Sequence, residues 1–230
     1  MVDIKIDTTF ADRAKKIIKK YPNRAIDLLH CFSTSQRISK EWLIEQLNRH
    51  TPDSYTKRYI DVAILGSWYG YLSHLLKEHF KCKLITEIRC YDVDDTAKKI
   101  GRMMFSDDKN LRFMTRNIDD VDFSQQGFDI IINTSCEHMQ DDVINRWLDS
   151  TRKDVICVLQ STDKPDTDHI NCSGLSFLIG KTPYKTKPMF PDISTIYVKE
   201  KKELNNATYT VGPQNYLNTP KVKGLVFSES

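Results

Sequence analysis

The sequence has no long hydrophobic run. Its longest uninterrupted apolar stretches, such as residues 130–132 and 155–159, are far shorter than the roughly 18 residues that a membrane-spanning helix requires. The first residues alternate Asp with Lys and contain no apolar segment of the kind found in secretory signals. We therefore expect no contact with a membrane and a cytoplasmic location.

The sequence also lacks the cysteine pairs of a metal site or a disulfide scaffold. None of its six cysteines forms a C-x-x-C pair, and none of its six histidines stands at ligand spacing from a second ligand. Several cysteines lie in apolar segments, where a thiol behaves as a small hydrophobic group. We expect no bound metal and mostly buried, reduced thiols at Cys31, Cys82, Cys90, Cys136, Cys157 and Cys172.

The net charge of +3 is unevenly distributed along the chain. Basic residues outnumber acidic ones in residues 1–60 and 181–230, whereas acidic residues predominate in residues 61–180. Basic ends are compatible with an anionic substrate such as a nucleotide or a nucleic acid. A lysine-rich helix face is, however, more often simply solvated, so both interpretations stay open.

The first 57 residues have a helical pattern. Residues 9–20 place apolar side chains at helical spacing with lysines opposite, and the helix should end near Pro22. A second helix is expected at residues 25–31. Ser39 precedes another apolar stripe and is the predicted N-cap of a third helix. These residues predict a helical extension packed on the main domain.

From residue 58 onward, short β-rich runs alternate with helical patterns. Parallel neighbouring strands need crossover connections, so this alternation predicts a mainly parallel sheet that is covered on both faces. A terminal antiparallel hairpin is expected from residues 195–199 and 207–211. The other predicted strands are residues 59–65, 84–91, 111–115, 128–133 and 154–159, and the predicted helices are residues 71–80, 96–105 and 141–150.

The most informative motif lies where the first strand runs into a helix. Gly66 and Gly70 flank this loop, and glycine permits a sharp strand-to-helix turn and close approach of a ligand to the backbone. A dinucleotide fingerprint would need G-x-G-x-x-G, but Trp68 occupies the second glycine position and the third glycine is missing. No Gly-Lys-Ser/Thr follows, which excludes a phosphate-binding P-loop. Because the second and third glycines of the dinucleotide fingerprint are missing, the motif disfavours NAD as the cofactor.

Three further segments should reach the same edge of the sheet. Asp92 ends the second strand, where a carboxylate can accept both hydroxyls of a ribose. Ile118 and Asp119 follow the third strand and offer an apolar side chain and a carboxylate for an adenine ring and its amino group. Residues 128–139 comprise a buried strand, residues 128–133, and the polar residues that follow it, which should lie in the same cleft.

Together, these four segments resemble the class I S-adenosylmethionine-dependent methyltransferases, over roughly residues 58–212. The resemblance implies a Rossmann-like, doubly wound α/β fold with seven strands in residues 58–230, preceded by the helical extension of residues 1–57. It also implies S-adenosylmethionine as the cofactor and methyl transfer as the activity. The cofactor-binding residues that it implies are Gly66, Ser67, Trp68, Gly70, Asp92, Ile118, Asp119 and Asn133.

His138 and Glu137 are the candidate catalytic residues. An imidazole beside the methyl group could take a proton from a hydroxyl or an amine, and Glu137 could orient it or bind the ammonium group of the cofactor. The acceptor stays open among small molecules, nucleotides and nucleic acids. The sequence Asn-Thr-Ser-Cys after the fourth strand argues against a standard DNA base methyltransferase. The helices of residues 9–50 and the loops of residues 161–192 are expected to cover the cleft and select the acceptor.

Several of these residues also have ordinary structural interpretations. Asp92 could cap the following helix, Trp68 could be a packing residue, and Asp119 could serve turn chemistry. His138 could equally be a structural histidine whose hydrogen bonds are satisfied within the protein. The sequence also departs from the family at Ile64, which stands where an acidic residue usually precedes the first glycine by two positions. The alternative hypothesis is therefore a non-catalytic subunit that binds a cofactor or a nucleotide and acts as an interaction protein.

Overall fold

The computed structural model describes residues 10–51, 53–152, 155–160 and 170, together with the strands at 196–199, 207–210 and 225–228. The helices are α1 (Ala11–Lys20), α2 (Ala25–Cys31), α3 (Thr34–His50), α4 (Tyr71–His79), α5 (Asp95–Met104) and α6 (Asp141–Ser150). The strands are β1 (Ile60–Leu65), β2 (Ile85–Asp92), β3 (Leu111–Thr115), β4 (Ile130–Asn133), β5 (Ile156–Gln160), β6 (Ile196–Lys199), β7 (Ala207–Thr210) and β8 (Leu225–Ser228).

Five parallel strands form the centre of the fold. Their order is β3-β2-β1-β4-β5, and β6 adds to β5 in the antiparallel direction. The chain moves outward from β1 to β3 and then returns to the other side of β1 with β4, so the strand order reverses between β1 and β4. An α/β sheet of this kind leaves a crevice at the carboxyl ends of the strands at that point. The predicted Rossmann-like α/β fold is confirmed for this parallel sheet.

The strands are apolar because both faces of the sheet are covered. In β1, Val62 and Ile64 face one buried cluster, whereas Ala63 and Leu65 face the other. The first cluster contains side chains of α4, α5 and the N-terminal helices, and the second contains side chains of α6. Continuous burial of this type explains why the strands have runs of hydrophobic residues rather than an alternating pattern.

The N-terminal helices share the core of the sheet. Phe10 packs against Phe32 at 5.1 Å, against His74 of α4 at 4.8 Å and against Phe105, which follows α5, at 5.4 Å between ring centroids. Phe32 in turn lies 4.8 Å from Tyr71. Aromatic pairs at these separations add to the stabilisation from burial alone. The extension is therefore built into the main hydrophobic cluster, and a domain boundary at residue 57 stays a prediction.

One helix start differs from the sequence-based prediction. The third helix begins at Thr34, and its N-cap is Ser33, whose side chain accepts a hydrogen bond from the backbone N–H of Gln36. Ser39 lies within the helix instead of capping it, so that prediction was wrong. The first turn, residues 34–37, is polar, so the apolar pattern that indicates the helix in the sequence begins only after it.

The C-terminal strands and the cysteines were predicted with unequal success. In the described strands, β6 pairs with β5, and β7 pairs with β8, so the predicted hairpin and seven-stranded sheet are not confirmed. The five described cysteines are buried and free, as expected, whereas Cys172 and most of residues 161–192 lie outside the described residues. Within the described part of the chain, no helix is long and apolar enough to cross a membrane.

The ring of Phe113 fixes β3 to the helices beside it. A Cβ atom added to Gly70, just before α4, would lie 2.6 Å from this ring, and one added to Gly101 of α5 would lie 2.7 Å from its Cδ1 atom. Contacts this short do not occur between ordinary side chains. Both glycines are therefore required by packing, because they leave room for the aromatic ring.

We predict that Gly101→Ala lowers the free energy of unfolding by about 1 to 3 kcal/mol, because overpacking forces Phe113 or α5 to move. Urea denaturation measures this loss. The control is the same substitution in a Phe113→Leu background, where the smaller side chain should tolerate the new methyl group and the loss should shrink. An equal loss in both backgrounds would show that Phe113 is not the obstacle.

Candidate functional site

The ends of three strands meet at the point where the strand order reverses. Leu65 of β1 lies opposite Tyr91 of β2 on one side and opposite Asn133 of β4 on the other. The residues that follow these strands therefore emerge side by side at the carboxyl edge of the sheet. The structure thus brings together the first, second and fourth predicted motifs.

The loop of residues 66–70 is a tight turn with three left-handed residues. Gly66, Trp68 and Gly70 have φ angles of +61°, +51° and +84°. The N–H of Gly70 donates to the carbonyl of Ser67 at 2.9 Å, and the N–H of Ser67 donates to the carbonyl of Tyr91 at 3.0 Å. A left-handed backbone is easy for glycine but costs roughly 1–2 kcal/mol for another residue. Trp68 therefore needs support from its surroundings.

Asp92 provides that support. Its Oδ2 atom accepts the N–H of Trp68 at 2.8 Å, and its Oδ1 atom accepts the N–H of Asp94 at 3.0 Å. Burial raises the pKa of the Asp92 carboxyl above its ordinary value, and the two N–H donors act in the opposite direction. The N-cap of α5 is Asp94, which accepts the N–H of Thr96 at 2.7 Å. Asp92 therefore organises the glycine loop rather than capping the helix.

Gly66 is packed against the protein itself. A Cβ atom at this position would lie 2.5 Å from the Cβ atom of Ser135, and the Ser135 hydroxyl donates to the Gly66 carbonyl at 3.2 Å. The sequence predicts that this glycine allows both a sharp strand-to-helix turn and close approach of a ligand to the backbone. On the side where a side chain would project, Ser135 occupies that space. The glycine is thus needed to join the loops that follow β1 and β4.

The loop after β4 places its polar residues at different depths. Asn133 is fully buried, accepts the N–H of Ser135 at 3.0 Å and donates to the sulfur of Met139 at 3.2 Å. A short 3₁₀ helix, Cys136–His138, follows, in which Glu137 is buried and His138 is exposed. Asn133 therefore shapes this loop, and His138 is the candidate catalytic residue that solvent reaches.

The third motif lies against α6. Ile118 is buried, and its neighbour Asp119 receives two hydrogen bonds from Arg146, at 3.1 Å from Nε and 3.0 Å from Nη2. An open cavity of about 330 Å³ lies here. Arg146 therefore already holds the carboxylate that was predicted to bind an adenine amino group. The residues that line this cavity are residues 118–122, Arg146, Trp147 and Ser150.

Two contacts at the site were missed by sequence reasoning. Asp94 stands directly before α5, in a position typical of an N-cap, so local pattern could have identified its capping role. Its ion pair with Arg24 of the helical extension, at 2.6 Å, joins residues far apart in the chain and leaves no local signal. No group of three or more His, Cys, Asp or Glu residues able to hold a metal ion occurs among the residues that the structure describes.

Comparison with known proteins gives structural likenesses only. No protein-family model matches the chain, and no curated protein matches it. The solved structures to which it is similar are mostly class I S-adenosylmethionine-dependent methyltransferases, at 10–18% identity. This is the family that the four sequence motifs resemble.

Three of these structures illustrate the range. Phosphoethanolamine N-methyltransferase 1 of Haemonchus contortus, in complex with phosphoethanolamine and S-adenosylhomocysteine, has a TM-score of 0.48 and 11% identity, over 70% of this chain and 36% of its own. YcgJ of Bacillus subtilis has a TM-score of 0.44 and 14% identity, over 56% and 52%. An S-adenosylmethionine-dependent methyltransferase of Mesorhizobium loti has a TM-score of 0.40 and 12% identity, over 54% and 53%. The chain thus spans about half the length of the latter two, and likenesses at this level carry no information on substrate.

We predict that Gly66→Ala destabilises the protein by about 2 to 4 kcal/mol, since it adds backbone strain to a clash with Ser135. Thermal or urea unfolding measures the loss. In a Ser135→Gly background the clash is removed but the strain remains, so the same substitution should cost less. If the cost does not depend on residue 135, the two loops do not touch as described.

Proposed function

We propose that this protein transfers the methyl group of S-adenosylmethionine to an acceptor that is a small molecule, a nucleotide or a nucleic acid. The observation that carries the proposal is the contact between the Asp92 carboxylate and the N–H of Trp68 at 2.8 Å. It joins an acidic residue at the end of β2 to the glycine loop after β1, beside the crevice where α/β sheets bind ligands. An adenosine-containing cofactor needs these two elements next to each other.

The side chains at this edge are compatible with such a cofactor. Besides the N–H groups of Trp68 and Asp94, the Asp92 carboxylate has capacity for a further hydrogen bond, which a ribose hydroxyl could donate. The half-buried ring of Trp68 offers an aromatic face that would attract a sulfonium cation. The proposed cofactor-binding residues are Gly66, Ser67, Trp68, Gly70, Asp92, Ile118, Asp119 and Asn133.

Arg146 holds the Asp119 carboxylate, so this carboxylate could contact the cofactor only if Arg146 releases it or shares it with the cofactor. The two residues form an exposed ion pair, and exposed pairs of this kind contribute at most about 1 kcal/mol. An adenine amino group could therefore compete for the carboxylate without a large cost. Ile118 is buried beside it and would provide the apolar part of the same contact.

Methyl transfer from S-adenosylmethionine needs little covalent catalysis by the protein. S-adenosylmethionine supplies an already activated methyl group, so the protein must mainly hold the acceptor in line and exclude competing reactions. His138 is exposed on the loop after β4 and could receive the proton that a hydroxyl or amine loses. Glu137, buried on the same short helix, would act as the residue that orients it.

One observation favours the alternative of a binding subunit without catalysis. Ile64 belongs to the buried cluster beneath α4 and α5, with 1% of its surface exposed. The acid that usually stands at this position in the resembled family is thus replaced by a core residue, which removes one anchor for the amino group of the cofactor. Cofactor binding without any transfer would support this alternative.

We predict that wild-type protein binds S-adenosylhomocysteine and that Asp92→Ala weakens this binding by about 1.5 to 3 kcal/mol, because a charged acceptor is lost from the ribose. Isothermal titration calorimetry measures both values, with NADH titrated in parallel. Asp12→Ala, at a highly exposed carboxylate of α1, is the control and should bind like wild type. Tight binding of NADH instead would reject the proposed cofactor.

We predict that His138→Gln lowers the rate of methyl transfer by about 10²- to 10⁴-fold while the affinity for S-adenosylhomocysteine stays the same. Transfer of radiolabelled methyl groups into the small-molecule, nucleic-acid and protein fractions of a cell extract identifies the acceptor class and gives the rate. His79→Gln, which alters an exposed histidine at the end of α4, is the matched control. Equal rates for the two variants would remove His138 from the mechanism.

A further inference from the structure

Arg24 of the helical extension contacts the proposed cofactor site. Arg24 ends a 3₁₀ helix, Pro22–Arg24, that joins α1 to α2, and its backbone N–H donates to the carbonyl of Tyr21 at 3.0 Å. Its side chain is mostly buried, with 28% of its surface exposed. The guanidinium group lies 2.6 Å from Oδ2 of Asp94 and 3.5 Å from Oδ2 of Asp27.

Asp94 links Arg24 to Asp92 and thereby to the glycine loop of residues 66–70. Its Oδ1 atom caps α5 by accepting the N–H of Thr96, and its own N–H donates to Oδ1 of Asp92 at 3.0 Å. The other oxygen of Asp92 holds the N–H of Trp68. A continuous series of polar contacts therefore runs from Arg24 through Asp94 and Asp92 to the left-handed residue of the loop.

Tyr69 forms a second contact between the glycine loop and the helical extension. The Trp68 ring stacks on Tyr69 at 5.2 Å between centroids, and Tyr69 is fully buried. Burial raises the pKa of the Tyr69 hydroxyl to about 12, the Asp27 carboxylate acts in the same direction, and the adjacent Arg24 guanidinium acts against it. The charge of Arg24 thus acts on the Tyr69 hydroxyl as well as on Asp94. These contacts bring five residues together at this edge of the sheet: Arg24, Asp94, Asp92, Trp68 and Tyr69.

We propose that Arg24 is a positioning residue, which holds the loop of residues 66–70 in the shape that binds the cofactor. A left-handed conformation of a bulky residue persists only where the surrounding structure enforces it. Without the guanidinium, Asp94 would carry an uncompensated charge next to Asp92, and the hydrogen bond that restrains Trp68 would weaken. The extension is then part of the cofactor site, although Arg24 itself need not touch the ligand. The effect on affinity rests on the function proposed above, whereas the effect on Trp68 does not.

The chain offers a closely matched control at Arg13. This residue also joins the extension to the sheet domain, by donating to the Met104 carbonyl at 2.6 Å and pairing with Asp107. Its side chain is 37% exposed, similar to that of Arg24. Its partners lie at and beyond the end of α5, away from the glycine loop. A general loosening of the extension should therefore appear in both variants, and an effect on the loop only in one.

The experiment compares Arg24→Met, Arg24→Lys and Arg13→Met in the full chain. Acrylamide quenching of tryptophan fluorescence, recorded with and without Trp68→Phe, isolates the signal of Trp68 from those of Trp42 and Trp147. Arg24→Met should increase the quenching of Trp68 and raise the dissociation constant of S-adenosylhomocysteine about tenfold. Arg24→Lys should lie between Arg24→Met and wild type, and Arg13→Met should leave both quantities unchanged.

The outcomes separate this proposal from the proposed function. Unchanged quenching of Trp68 in Arg24→Met, or an equal change in Arg13→Met, overturns the role of Arg24. If wild type does not bind S-adenosylhomocysteine, the proposed cofactor is wrong and the quenching result alone decides on Arg24. If Arg24→Met does not fold, as circular dichroism would show, Arg24→Gln replaces it. That variant keeps a polar side chain but still leaves the Asp94 charge without its cation, and it must increase the quenching of Trp68.

Discussion

The carboxylate of Asp92 is the constraint on which the site depends. It is a partly buried acid that satisfies two backbone N–H groups, one from each of the loops that follow β1 and β2. Without it, the left-handed Trp68 would have no compensating contact at its N–H, and the tight turn from Gly66 to Gly70 would lose its main restraint. A single side chain thus fixes two neighbouring loops while retaining hydrogen-bonding capacity for a ligand. The structural role of Asp92 is therefore compatible with the ligand contact proposed for the same residue.

The helical extension takes part in both the hydrophobic core and the loop after β2. Its buried side chains join the cluster that also covers β1, and Arg24 reaches the loop after β2. A cover added for substrate selection alone would not need to complete the core. The extension therefore combines two roles: it closes the apolar surface of α4 and α5, and it brings a cation to an otherwise acidic corner formed by Asp92 and Asp94.

The sequence predicted the regular part of the fold well, because buried parallel strands leave runs of hydrophobic residues and amphipathic helices leave periodic ones. The strand at residues 111–115 and the helix at residues 141–150 have the predicted bounds. The error at Ser39 arose because the first turn of α3, residues 34–37, is polar and carries no periodic signal. The contacts of Gly66 with Ser135 and of Arg24 with Asp94 could not be predicted, since they depend on which loops the folded sheet brings together.

The aromatic cluster around Phe10 also bears on how the chain folds as it is synthesised. The partners of Phe10 include Tyr71, His74 and Phe105, so the inner faces of the N-terminal helices remain uncovered until residues far downstream have left the ribosome. Apolar surface that stays exposed during synthesis is prone to aggregation. The nascent chain would therefore pass through a period in which its first helices need protection, either by transient collapse among themselves or by a chaperone.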